Sequence, residues 1–234
     1  GYIYLLPVSN EWYSAGLIRR DRCWFPLDHS KSQKLPSIWF YLSAFISAFL
    51  LFQIQPMIAT FILPWFGGAS LVWTTCMLFF HVILVGGYAY AHMISTKVSF
   101  RHQWAIHTCL LIIAILFLPT IPHEYFKPTN GDMPTTKILI LLIFVVGVPF
   151  FILASTAPLI QKWYSLTFVD RSPYRLYAVS NIGSLLALLT YPFLFEYYLS
   201  RSLQADYWAF LFVIFAISIT WIGYRLLSHR DTTD

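Results

Sequence analysis

From Ser37 onward the chain is almost entirely six long apolar segments, and the loops between them alternate basic, neutral, basic, neutral. Of the 15 Lys and Arg, only Lys127, Lys137 and Arg201 fall on one set of loop ends. Arg19, Arg20, Arg22, Lys31, Lys34, Lys97, Arg101, Lys162, Arg171, Arg175, Arg225 and Arg230 all fall on the other. Lys and Arg accumulate on the cytoplasmic side of membrane proteins. The pattern therefore predicts an all-α, polytopic transmembrane helix bundle of six spans with both termini cytoplasmic. Residues 1–36 read as a cytoplasmic or interfacial tail carrying Trp12, Tyr13, Trp24 and Phe25, residues 37–228 as the six-helix domain, and residues 229–234 as a cytoplasmic tail.

Composition agrees. Hydrophobic residues make up 58% of the chain and charged residues 11%, with a mean hydropathy of +0.65, whereas soluble domains carry roughly a quarter charged residues. A span takes about 20 apolar residues, so six of them leave no room for a separate catalytic domain. The net charge of +5 is explained by the sidedness of Lys and Arg and calls for no nucleic acid. Cys23, Cys76 and Cys109 form neither a CxxC nor a CxxCH pattern and so indicate neither a disulfide framework nor covalent c-type haem. Tyr2 to Leu6 is too short for the apolar region of a secretory signal.

The first span is expected to run from about Ser37 to Phe52 and to be interrupted at Gln53-Ile54-Gln55-Pro56 before a second apolar run reaches Pro64. Proline frees a carbonyl that must find a partner at membrane depth. Gln53 and Gln55 suit that task in a kinked helix packed on its neighbours, or line a ligand path in a broken one. Gly67-Gly68-Ala69 turns the chain into a second span, Ser70 to Met93, and a third runs from about His102 to Pro119. Asn130-Gly131 marks a turn in the loop that follows. The fourth span starts near Lys137 and contains Pro149 and Pro158, with Ser155 and Thr156 able to satisfy freed backbone groups. Gln161 to Arg175 reads as a cytoplasmic loop, and the sixth span as Tyr207 to Leu227. Trp65, Trp73, Tyr88, Tyr90, Trp163, Tyr164, Tyr197, Tyr198, Tyr207, Trp208, Trp221 and Tyr224 read as interfacial belts.

Polar and small residues inside the spans are the candidate functional positions. Ser180, Asn181, Gly183 and Ser184 on the fifth span, and Ser43/Ser47 with Ala44/Ala48 on the first, read as helix-packing groups. Together with Gln53, Gln55 and Pro56, the residues Asn181, Gly183 and Ser184 also define a candidate ligand path. His81 and His92 are eleven residues apart on one helix, about 16 Å along one face. They are either packing and interfacial histidines or tetrapyrrole ligands, for which the third span offers His102 and His107 as partners. Haem or chlorophyll is the cofactor such ligation would bring, and otherwise no cofactor is expected. Glu196 is the one acidic residue within a span, so the carboxylates of a cation carrier are missing. GxSxG, HExxH and Walker motifs are absent, and neither catalytic residues nor a metal site is assigned.

Two stretches carry a family resemblance. QPMIATFILPWFGGASLVWTTCMLFFHVILVGGYAYAH, from Gln55 to His92, and ASTAPLIQKWYS with SPYRLYAVSNIGSLLALLTYPFLFE, between Ala154 and Glu196, resemble the N-terminal membrane region of bacterial fused major-facilitator/spermidine-synthase proteins. The resemblance covers about four of the six spans. It departs at His81, where the family is expected to have glutamine, and the chain stops at Asp234, before the region that would hold aminopropyl transfer. The resemblance implies a bacterial inner-membrane location and at most half of a two-lobed carrier. The function expected from the sequence is a non-enzymatic membrane subunit or scaffold that packs, within the lipid bilayer, against other membrane subunits or a second copy of itself. The alternatives are half of a dimeric small-solute transporter, or a haem- or chlorophyll-ligating accessory subunit of an electron-transfer or photosynthetic complex.

Overall fold

The computed structural model describes residues 36–128, 134–168 and 172–230, all of whose regular structure is helical. The expected N-terminal tail with its four aromatics, Cys23, the Asn130-Gly131 turn, Arg171 and residues 231–234 lie outside the described residues. Six principal helices follow one another: α1 Ile38–Phe66, α2 Ser70–Lys97, α3 Phe100–Leu116, α4 Pro134–Thr167, α5 Tyr174–Tyr198 and α6 Arg201–Arg230. Five of them are long and apolar enough to cross a membrane; α3, with 17 residues, is shorter. At 1.5 Å per residue α3 reaches about 25 Å, somewhat less than a hydrocarbon core of about 30 Å.

The helix boundaries follow local chemistry. Gly67 ends α1 with φ at 82°, its N–H donating to Leu63 O at 2.9 Å, a left-handed closure that favours glycine. Only Val98 and Ser99, both extended, separate α2 from α3. The Gln103 amide closes that turn by donating to Val98 O at 2.7 Å. Proline is absorbed inside the helices. α1 runs unbroken through Pro56 and Pro64, contrary to the interruption expected after Phe52. Gln55 Nε2 donates to Leu51 O at 3.4 Å, and neighbours packed on α1 from three sides hold the rod together. In α4 a π-helical segment, Ile143–Gly147, precedes Pro149. In α5 a second, Tyr191–Phe195, contains Pro192. Widening the turn gives each proline ring room. Gln204 of α6, almost fully buried, donates to Phe195 O and Leu199 O and accepts from the Tyr191 hydroxyl, satisfying the irregular end of α5.

α4 extends to Thr167, so Gln161, expected in a loop, lies on a helix. α6 begins at Arg201, six residues before the expected start.

α1 and α4 form the centre: α1 packs on α4, α5 and α6, while α4 packs on α2, α3 and α1, and α3 meets α6. These principal contacts map onto themselves when each helix is exchanged with the one three places along. Exchange of α1 with α4, α2 with α5 and α3 with α6 turns α1–α5 into α4–α2 and α1–α6 into α4–α3. Such a pattern belongs to a bundle built from two three-helix units. Two close crossings fasten the outer helices. A Cβ at Gly87 of α2 would stand 2.8 Å from Ala154 Cβ of α4, and one at Gly183 of α5 would stand 2.6 Å from Phe45 O of α1. In lipid, where apolar surface gains little by leaving the solvent, small residues that admit close backbone approach drive helix association.

Tryptophans supply directional ties. Trp208 Nε1 donates to Leu50 O at 3.0 Å, Trp104 Nε1 to Thr220 O at 3.0 Å, and Trp163 Nε1 to Gln103 Oε1 at 3.2 Å. They lock α6 to α1, α3 to α6 and α4 to α3. Trp163 and Trp208 are each 1% exposed and Tyr164 is fully buried, so these three act as interhelical anchors. Their indole and phenol groups are buried because partners on neighbouring helices satisfy them.

Candidate functional site

Four helices present one stripe each to a common groove of about 470 Å³. The stripes follow helical spacing: Ser47, Leu51 and Gln55 on α1; His81, Leu84 and Tyr88 on α2; Phe150, Ala154, Ala157 and Gln161 on α4; Tyr177, Ser180, Asn181 and Ser184 on α5. Ser47, Leu51, Phe150 and Ala154 are buried and make the floor, whereas His81, Tyr88, Tyr177 and Asn181 are exposed and make the walls. The crossings at Gly87 and Gly183 set those walls, because each pulls an outer helix onto a central one. Among the described residues no Asp, Glu, Lys or Arg lines the groove.

His81 Nδ1 lies 2.7 Å from Met77 O. A carbonyl only accepts, so Nδ1 carries a proton, and in the neutral ring Nε2 is left as an acceptor. The side-chain amides of Asn181 and Gln161 have no hydrogen-bond partner among the described residues. Ser184 donates to Ser180 O at 3.2 Å within α5. The lining thus combines unspent donors and acceptors with aromatic walls, and Phe80 and Phe150 stand 4.9 Å apart at a tilt of 53°.

The structure brings together Gln55, His81, Asn181 and Ser184 from the residues singled out in the sequence. Gln53 lies elsewhere, 4% exposed, with Oε1 unpartnered inside the bundle. Pro56 sits half-buried within α1. Gly183 meets Phe45 of α1. His92 and His102 are exposed near the α2–α3 turn, where His102 Nδ1 bonds Ser99 Oγ at 2.8 Å. Groove residues not singled out for it beforehand include Gln161, Tyr88 and Tyr177. Gln161 falls eleven residues after Phe150 on the same helical stripe, and extending the helix past Pro158 would have exposed that register.

His107 stands apart from the groove, 1% exposed between α3 and α4. Thr156 Oγ1 donates to Ile152 O at 2.6 Å, so at 2.9 Å from His107 Nε2 it accepts. Tyr90 of α2 stacks on the imidazole at 6.2 Å and 24°. Both the Tyr90 hydroxyl and His107 Nδ1 are buried without a partner. Thr156→Val is expected to strand the His107 N–H and to destabilise the bundle by about 1–3 kcal/mol, measured as a shift in equilibrium unfolding in mixed micelles.

Among the described residues no group of three or more His, Cys, Asp or Glu is placed to hold a metal ion. Comparison of the chain with protein-family models, with curated proteins and with solved structures finds no match in any of the three. What the fold defines is an all-helical protein, most of whose helices have the length and composition of membrane spans.

Proposed function

We propose that this chain is a non-enzymatic lobe of a membrane assembly, set in a bacterial inner membrane with six spans and both ends cytoplasmic, whose polar groove closes against a second membrane lobe. The observation that carries this reading is the groove itself. His81 and Asn181 are exposed on α2 and α5, helices whose other exposed side chains include Val82, Val85, Ile182, Leu185 and Leu189. Polar groups at membrane depth are stable where protein covers them or where they line a cavity, and costly against lipid. The sidedness of Lys and Arg supports six crossings. Lys127 stacks over Trp65 and Arg201 over Phe61, toward the end of α1, while Arg225 stacks over Trp221, which meets Trp39 at its start. α3 fits a sixth crossing with modest thinning of the bilayer around it.

Cross-linking tests the reading. With Cys23, Cys76 and Cys109 replaced by alanine, Tyr177→Cys at the groove rim is expected to give one cross-linked species of fixed mass in native membranes. Ile217→Cys on α6, 64% exposed and away from the groove, is expected to give none. Equal labelling at both positions, or none at either, would contradict the proposal.

A second reading, half of a carrier for a neutral solute, is favoured by the size of the groove and by its unspent amides. Saturable uptake in proteoliposomes that is lost on Asn181→Leu supports it.

A further inference from the structure

The geometry points to a second copy of this chain as the partner on the groove face, docked through α2 of each copy against α5 of the other. This inference rests on the reading of that face as covered by a second membrane lobe, and it names the lobe. His81, Val85, Tyr88 and His92 of α2 follow one another at steps of four, three and four residues and so form one stripe. Tyr177, Asn181, Ser184 and Leu188 of α5 repeat the same steps. All are exposed except Ser184, which is half-buried. The side chains of Tyr88, His92, Tyr177 and Asn181 have no hydrogen-bond partner among the described residues. Polar groups left so at membrane depth call for protein to cover them.

Depth decides which of these residues can meet. Gly87 stands against Ala154 and Ser155, Ser47 Oγ reaches Leu153 O at 3.3 Å, and Gly183 stands against Phe45 O. These contacts put Gly87 of α2 and Gly183 of α5 in one layer of the bundle. α2 runs alongside α4 in the same sense, α5 alongside α1, and α1 and α4 run opposite ways. Each α2 position is therefore level, to within about 1.5 Å, with the α5 position equally far from its glycine in the other direction along the chain. Copies of one chain carry the same Lys and Arg bias and insert in the same sense, so the twofold relating them lies along the membrane normal. It preserves depth and sets α2 of one copy antiparallel to α5 of the other. Four rungs follow: His81 opposite Leu188, Val85 opposite Ser184, Tyr88 opposite Asn181, and His92 opposite Tyr177. The last two pair the four orphaned polar side chains, and the twofold makes each pair twice. Bulky Val85 and Tyr88 of α2 meet the smaller Ser184 and Asn181 of α5, which lets the helices approach. Neither stripe carries Asp, Glu, Lys or Arg, so a copy meets its like without charge repulsion.

Disulfide trapping between two differently tagged copies of the full chain tests the docking. Both copies have Cys23, Cys76 and Cys109 replaced by alanine, each carries one new cysteine, and oxidation is carried out in native membranes. Tyr88→Cys in one copy is expected to form a disulfide with Asn181→Cys in the other, and His92→Cys with Tyr177→Cys. Tyr88→Cys with Tyr177→Cys lies about 7 Å out of level and is expected to give at least about tenfold less, because a disulfide needs Cβ atoms about 4 Å apart. Efficient trapping of Tyr88→Cys with itself would set α2 against α2 and overturn the inference. Equal trapping at level and displaced positions, or trapping at neither level pair, overturns it as well. Energy transfer between two labelled populations of the chain, with the groove residues unchanged, is independent of cysteine placement. It is expected to saturate with protein density in liposomes, and Asn181→Leu is expected to weaken the association by about threefold or more. Absence of transfer, or indifference to Asn181→Leu, contradicts the docking. The Tyr177→Cys cross-link described above is read separately. A species of twice 27.2 kDa upholds both the assembly and the second copy. A species of any other mass removes the second copy and leaves the assembly standing, whereas no species at all removes both.

Discussion

Gly183→Val is expected to abolish the groove and to destabilise the bundle more than any polar substitution within it. The added Cβ would stand 2.6 Å from Phe45 O, and 3.3 Å and 3.4 Å from Phe45 Cδ2 and C. A side chain can rotate away from such a contact; a carbonyl inside α1 cannot move without moving the helix. α5 must therefore retreat from α1 over its whole crossing, carrying the groove wall that bears Ser180, Asn181 and Ser184 away from the floor. Overpacking of this kind costs about 1–3 kcal/mol, and a backbone obstacle puts it at the upper end of that range. The loss is read in mixed-micelle unfolding, and it is expected to be accompanied by loss of the Tyr177→Cys cross-link. Gly183→Ala places the same Cβ and is expected to cost nearly as much, which separates a steric cause from one of side-chain size. Gly87→Ala on the α2–α4 crossing is the milder counterpart. Its nearest obstacle is the Ala154 methyl at 2.8 Å, followed by Ser155 N at 3.0 Å.

Trp208→Ala is expected to have a comparable effect for the opposite reason. Trp208 is 1% exposed, stacks on Phe212 at 5.4 Å and donates to Leu50 O. Truncation opens a large void between α1 and α6 and removes a donor from a buried carbonyl. Losses of about 3–5 kcal/mol accompany such deletions in packed interiors. Circular dichroism along a denaturant titration is the suitable readout, since the change removes an indole chromophore. Trp208→Phe, which keeps most of the ring volume without the N–H, is expected to recover more than half of the loss. If alanine and phenylalanine were equally harmful, the hydrogen bond and not the packing would dominate.

Much of the helical layout was legible in the sequence because the apolar runs and the turn chemistry are local signals. Gly67-Gly68-Ala69 and the basic stretch between α2 and α3 mark turns by composition alone. Pro56 did not interrupt the first helix, which continues from Ile38 to Phe66 with three other helices packed on it. The end of α4 was misplaced for a related reason. Gln161 and Lys162 look like the start of a loop, yet Trp163, Tyr164 and Thr167 are buried against neighbouring helices and carry the helix on. The partners of Trp163 and Trp208 were not legible either, because they depend on the positions of Gln103 and Leu50 on other helices.

The site was legible in its parts and not as a whole. Gln55, His81 and Asn181 stood out as polar groups on apolar helices. Their meeting in one groove depends on two glycine crossings far apart in sequence, which no periodicity encodes. The same holds for His107, where the sequence shows a histidine, and its burial beside Thr156 and Tyr90 is a matter of tertiary packing.

The central claim is that the polar groove faces protein and not lipid. The most direct test is native mass spectrometry of the intact assembly released from native-membrane nanodiscs, with Asn181→Cys probed in the same membranes by a lipid-soluble maleimide. The expected result is a particle containing this chain and a second membrane lobe in fixed ratio, with Asn181→Cys protected until the particle is dissociated. A solitary chain whose Asn181→Cys reacts at once from the lipid phase would contradict the account.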